Sequence, residues 1–149
     1  MKIMVSACLA GINCKYDGGN NRDPRVLKLM EENEVLTICP EQLGGLPTPR
    51  VPSEIRDGHV ITKDGRNVDR EFQSGAKESL SLAKKFQPDL IILKSRSPSC
   101  GVKEHYDGSF SGTLIPGPGV TARLLMANGF QVMDSEDPEF TGLSFVKSE

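Results

Sequence analysis

The chain has 149 residues, 37% hydrophobic and 26% charged, with a net charge of −2. That balance fits one folded domain with its own core, and intrinsic disorder is not expected. It argues against a broad nucleic-acid-binding surface, although a local basic groove stays open. No apolar stretch reaches membrane-spanning length.

Ile3 to Ala7 is a short apolar run flanked by polar and Gly-rich sequence, which predicts a buried strand. With one lysine and so short a run, the N-terminus reads as this strand and not as an export signal, so the expected compartment is the cytoplasm. Asp23-Pro24 is a helix-start signal, with Val26, Leu27 and Met30 on the inward side and Asn33 at the end. Val35 to Ile38 predicts a second strand that runs into Cys39-Pro40. Gln42 to Pro52 carries Gly44-Gly45 and three prolines, so it reads as an irregular and functional loop.

Residues 54–64 predict an edge strand or hairpin turning at Asp64-Gly65. Asp69 then caps a helix whose apolar stripe is Phe72, Ala76, Leu80 and Ala83. Pro88 stops it, and Leu90 to Leu93 predicts a third strand. Residues 102–119 read as a second Gly-rich loop. Gly119 to Asn128 predicts a helix with Val120, Leu124 and Leu125 inward and Gly129 as its left-handed stop. Phe130 to Met133 predicts a fourth strand, and Phe140, Leu143 and Phe145 are scattered through a polar tail. Strands alternating with helices, without repeat or linker, imply an α/β fold: a single three-layer, Rossmann-like domain with a mostly parallel sheet. Ligands of such folds bind at the C-terminal ends of the strands.

Four cysteines in a reducing compartment call for burial, metal binding or catalysis, since structural disulfides are rare there. Cys8, Cys39 and Cys100 each follow a predicted buried strand, so a parallel sheet brings them to one edge. Their spacings of 31 and 61 residues match no local zinc-finger pattern. Three thiolates suit an iron–sulfur cluster or zinc and leave one metal position open for catalysis. The bland alternative is three small buried hydrophobes. Cys14 is a fourth ligand, a persulfide carrier or a free thiol, with an auxiliary role favoured over ligation. His59 and His105 both fall in predicted surface segments.

Glu41 lies two residues after Cys39 and is a candidate general base; otherwise it is a solvated loop carboxylate. Ser97 and Ser99 flank Pro98 before Cys100. Either hydroxyl relays a proton or orients a substrate atom, or both merely shape the turn. Arg50, Lys94 and Arg96 supply positive charge for an anionic substrate or for a negatively charged metal centre. The Tyr16-Asp17-Gly18-Gly19 and Tyr106-Asp107-Gly108 strings form turns or offer a ring for stacking. Gly117-Pro118-Gly119 opens a helix whose first amides could accept an anion.

Three blocks together are specific: Val5-Ser6-Ala7-Cys8-Leu9-Ala10-Gly11 with Cys14, Cys39-Pro40-Glu41-Gln42-Leu43-Gly44-Gly45-Leu46-Pro47-Thr48-Pro49-Arg50, and Lys94-Ser95-Arg96-Ser97-Pro98-Ser99-Cys100-Gly101. With Tyr106-Asp107-Gly108 and Gly119-Val120-Thr121-Ala122 they make the chain resemble the domain-of-unknown-function 523 family, whose characterised members are thiouracil desulfidases. The resemblance spans residues 1–134 and leaves 135–149 as a C-terminal tail. It implies an oxygen-sensitive [4Fe-4S] cluster on Cys8, Cys39 and Cys100, with Glu41 and Ser97 catalytic. Arg50, Tyr16, Lys94 and Ser99 are then the candidates for substrate binding. The implied reaction replaces sulfur by oxygen in a small thiolated pyrimidine and releases sulfide. Alternatives are a desulfidase for 4-thiouridine in tRNA, a non-enzymatic cluster carrier or sensor, and a zinc site.

Overall fold

A computed structural model describes residues 1–137. Phe140, Leu143 and Phe145 lie outside the described residues. The chain runs β1 (Lys2–Ser6), a 3-10 turn (Ala7–Ala10), α1 (Pro24–Glu32), β2 (Glu34–Ile38), α2 (Pro40–Leu43), β3 (Ser53–Arg56) and β4 (His59–Thr62). It continues with α3 (Asp69–Phe86), β5 (Leu90–Leu93), β6 (Glu104–Tyr106), β7 (Leu114–Pro116), α4 (Val120–Ala127) and β8 (Val132–Asp134).

The central sheet is parallel throughout, in the order β2-β1-β5-β8. Alternation along the strands sends side chains to two separate layers. Ile3, Val5 and Ile92 pack with Val26 and Leu29 of α1 on one face. Met4, Ile91 and Leu93 pack with Ala83 of α3 and Ala122 and Leu125 of α4 on the other. This is the expected three-layer α/β arrangement. The chain leaves β1 toward β2 on one side and returns to β5 on the other. The C-terminal ends of β1 and β5 therefore form a topological switch point, where such sheets bind ligands.

Several local expectations shift. The inward pair of α1 is Val26 and Leu29, with Leu27 and Met30 half-buried, because this face must meet Leu9 as well as the sheet. Asp23 does cap α1, accepting from the Arg25 amide. Gln42 and Leu43 are helical: Pro40 opens the one-turn α2, which seats against α3. The β3–β4 hairpin reverses at Asp57-Gly58, both with left-handed backbone (φ 52° and 79°), which is two-residue hairpin chemistry. Asp64-Gly65 makes a second reversal, tied by the single Ile61–Asn67 bridge.

Asp69 is the first residue of α3 and Val68 its N-cap. Its carboxylate is drawn to the hairpin, accepting from the Val60 amide at 2.6 Å and meeting His59 Nδ1 at 2.7 Å. The loop expected over 102–119 contains the β6–β7 hairpin. His105 on β6 is consequently buried, not superficial. On α4 the buried residues are Thr121, Ala122 and Leu125, while Val120 and Leu124 are half-buried.

Candidate active site

The strands deliver their cysteines to one place. Cys8 sits in the 3-10 turn directly after β1, Cys39 is the N-cap of α2 directly after β2, and Cys100 follows β5 across the 94–99 loop. All three, with Cys14, line one cavity of about 470 Å³ at the C-terminal edge of the sheet. All four are free. Glu41, Arg50, Ser97, Lys94 and Tyr16 line the same cavity.

Each cysteine is placed by a specific local device. The Cys8 carbonyl accepts from the Gly11 and Asn21 amides, so the 11–22 loop closes back on the Cys8 turn. Cys39 is held through α2, whose Gly44 lies against Gly75 of α3. A Cβ at Gly44 would stand 1.9 Å from the Glu71 carbonyl oxygen, and one at Gly75 would stand 1.9 Å from that of Pro40. Only two glycines permit this approach. Ser97 Oγ accepts from the Ser99 amide at 3.1 Å and the Cys100 amide at 2.9 Å, which fixes the turn that presents Cys100. Both bonds are accepted, so the Ser97 hydroxyl keeps its own proton to donate.

The thiols fall into two electrostatic groups. Cys8 is brought down to about 6, first by its hydrogen bond with the Cys14 thiol, with help from Asn21 and the Lys94 charge against the effect of burial. Cys39 is brought down to about 7, again first by Cys14, with further help from the Gln42 amide and Arg50. Cys14 is pushed far up by those same two bonds, Cys39 first, and by burial. Cys14 thus donates to its two neighbours and is the most reluctant of the three to ionise. Burial pushes Cys100 up to about 12, partly offset by a bond with Ser6. Its ionisation requires a cation in the cavity to replace the lost hydration.

Arg50 acts as a clamp. Its Nε donates to Glu41 Oε1 at 2.9 Å, its Nη1 to the Pro47 carbonyl and Thr48 Oγ1, and its Nη2 to the Cys14 carbonyl at 2.9 Å. Four of its five N–H groups are spent inside the protein, and its side chain is 7% exposed. Cys39 Sγ also reaches the Cys14 carbonyl, at 3.9 Å. The Glu41 and Cys14 segments are thereby tied together.

Lys94 Nζ donates to the Ser95 carbonyl and hydroxyl. Arg96 also lines the cavity, its guanidinium paired with Glu136 and Glu104. Tyr16 stands at the rim, 42% exposed. Ser99 lies outside the cavity lining: its buried hydroxyl bonds Thr121 Oγ1 at 2.8 Å, coupling the Cys100 turn to α4. The first amides of α4 are occupied, Val120 donating to the Pro98 carbonyl and Thr121 and Ala122 to that of Ser99. This removes the expectation of an anion site at that helix start. The roles of Ser6 and Asn21 escaped the sequence reading, since one strand-end serine and one loop asparagine carry no spacing signal.

The donor set suits a polynuclear iron–sulfur centre: three thiols from separate loops, two already ionising near neutrality, with Lys94 and Arg50 to offset negative charge. Among the described residues no group of three His, Cys, Asp or Glu side chains is arranged to hold a single metal ion. No helix among them is long and apolar enough to cross a membrane.

Residues 3–137 match the family model for 2-thiouracil desulfurase. The chain is 39% identical over 145 residues to YbbK of Bacillus subtilis (strain 168), described as uncharacterized, covering 91% of this chain and 96% of that one. It is 41% identical to a solved [4Fe-4S]-dependent thiouracil desulfidase, TudS, superposing with a TM-score of 0.87 over 97% of this chain and 99% of the other. Coverage on this scale takes in every element that builds the cavity, and the chain belongs to the 2-thiouracil desulfurase family.

Proposed function

We propose that the protein is an iron–sulfur-dependent desulfidase that converts a thiolated uracil and water into the oxygen analogue and hydrogen sulfide. The observation that carries this reading is the convergence of Cys8, Cys39 and Cys100 with Glu41 and Ser97 on one cavity. The three cysteines would hold a [4Fe-4S] cluster, which supplies an electrophilic metal for polarising the carbon–sulfur bond. The positive charges of Lys94 and Arg50 favour the ionised ligands.

Glu41 takes a proton from the water that attacks the ring carbon. Arg50 fixes one of its carboxylate oxygens, so the other is the one that acts. Ser97 donates its free proton toward the ring nitrogen or the departing sulfur. Tyr16 borders the entrance. Arg50 aligns the base and, with most of its donors already used, touches substrate little. The electrons balance without an external redox partner, because a carbon–sulfur double bond becomes a carbon–oxygen double bond and sulfur leaves as sulfide.

The test is anaerobic turnover of 4-thiouracil by reconstituted protein, following loss of the thiocarbonyl absorbance and release of sulfide. Glu41→Gln is expected to keep its iron and lose about 10²- to 10⁴-fold in rate. A wild-type rate in that variant removes Glu41 as the base. An iron-loaded protein inert toward thiouracil and its nucleoside, which binds tRNA with steep salt dependence, would move the reading to 4-thiouridine in tRNA.

A further inference from the structure

Four non-glycine residues among those described have left-handed backbone: Asp57, Gln87, Arg96 and Phe110. Asp57 sits in a hairpin turn and Gln87 ends a helix, where such backbone is ordinary. Arg96 is held by its bridge to His105 and its pairs with Glu104 and Glu136, which leaves Phe110, with φ of 56°, whose side chain has no such anchor among the described residues. A bulky aromatic is not what turn chemistry selects for a positive φ. Such strain persists only where the surroundings over-determine it, and it concentrates at ligand clamps.

The surroundings do over-determine it. Phe110 lies in the 107–113 loop between β6 and β7. Glu54 on β3 accepts from both the Gly108 and the Phe110 amides at 3.0 Å. Gly108 is pressed against β3, where an added Cβ would stand 2.3 Å from the Arg56 Cβ. The loop is closed by the Asp107 amide donating to the Thr113 carbonyl. One carboxylate and one steric contact thus pin the tip to the neighbouring hairpin.

The ring is not spent on the core. Phe110 belongs to none of the three clusters of packed apolar side chains. It lines the cysteine cavity instead, together with Tyr106 and Tyr16. A half-buried phenylalanine among the residues lining a cavity of about 470 Å³ can offer a planar heterocycle a face to stack on.

We propose that Phe110 is the face on which the substrate ring stacks, and that Glu54 is the positioning residue that holds Phe110 in its left-handed conformation. This rests on the desulfidase reading above and adds the element that selects a flat, aromatic ring. Specificity then comes from the β3 and β6–β7 hairpins, while the chemistry comes from the sheet edge.

The experiment uses the reconstituted protein under anaerobic conditions, with uracil as a non-reacting probe in calorimetry and 4-thiouracil in turnover. Phe110→Ala should weaken uracil binding and raise KM by about tenfold, within the range for a lost base stack, with kcat changed far less. Phe110→Trp should restore both values. Phe110→Leu, apolar but not aromatic, should stay weakened. Phe110→Gly relieves the backbone and should keep or raise the Tm while binding uracil as poorly as Phe110→Ala. Glu54→Ala should raise KM without a further rise when combined with Phe110→Ala. Iron and sulfide contents equal to wild type in each variant confine the effect to the ring.

Wild-type KM and uracil affinity in Phe110→Ala overturn the stacking role while wild-type turnover keeps the desulfidase reading. Additive losses in the double variant overturn the positioning role of Glu54. A loaded wild-type protein that neither binds nor converts any thiolated pyrimidine overturns both readings together.

Discussion

Asp23 caps α1 with one oxygen and pairs with Arg25 through both. The Arg25 side chain chiefly, and its amide, hold the carboxyl below its ordinary value of 3.8. A lowered folded-state value means that the contribution is complete above the ordinary value and is lost as pH falls through the lower folded value. Asp23→Ala should therefore cost about 1 kcal/mol at neutral pH. Thermal unfolding should show that difference shrinking in the acid range below 3.8. At the cavity, Cys14→Ala should leave iron and sulfide contents of the reconstituted protein close to wild type, because Cys14 lies within the 11–22 loop while Cys8 and Cys39 directly follow strands of the parallel sheet. Cys8→Ala, Cys39→Ala and Cys100→Ala should each lose most of both. Elemental analysis decides, and an equal loss in Cys14→Ala would make it a fourth ligand. Residue types near the cysteines announced charge and hydroxyls in the sequence, but not their partners. Ser99 and Ser97 look alike across Pro98, yet one faces Thr121 and the other caps the Cys100 turn. Nothing local distinguishes them, because the α4 residue that meets Ser99 lies 22 residues further along.

α2 is a single turn, too short to hold itself, and it takes its position from the Gly44–Gly75 contact with α3. Gly75→Ala puts a Cβ into the Pro40 carbonyl, backbone against side chain, and neither can swing away. Overpacking of this kind costs about 1–3 kcal/mol or more. A lowered Tm with an iron content well below wild type after reconstitution is the expected result, since Cys39 and Glu41 ride on α2. Retained iron despite a lowered Tm would show that the loop adapts independently of its seat. The long helix α3 was readable from its apolar stripe, since Phe72, Ala76 and Ala83 are buried. Gly75 within that helix was not, because its reason is another element's backbone. The β6–β7 hairpin was hidden for a related cause: its strands are three residues each and paired across a seven-residue loop. Periodicity needs longer runs to declare itself.

The gathering of three strand-end cysteines was the most legible feature of the whole molecule, because a parallel sheet fixes where its strands end. The order β2-β1-β5-β8 places β1, β2 and β5 side by side, so sheet order and cysteine convergence are one fact. The extra wall from the small hairpins depends on contacts such as Glu54 with the Phe110 amide, which no sequence pattern records. Because the proposed ligands come from separate loops, a centre bound there would bind the folded chain and not the unfolded one. Iron loading should raise the unfolding temperature measured anaerobically, and chelation should return it to the metal-free value. An unchanged temperature would place the metal at a site already present in the unfolded chain.

The three cysteines also set an order of events during synthesis. Cys100 is about two-thirds of the way along the chain, and its turn is held by the start of α4, residues later still. On the proposed ligand set, no shorter N-terminal stretch holds all three cysteines, so cluster delivery would wait until the sheet has closed around β5. On that reading a nascent chain would meet an iron donor as three scattered thiols, and only the finished fold would offer it a destination.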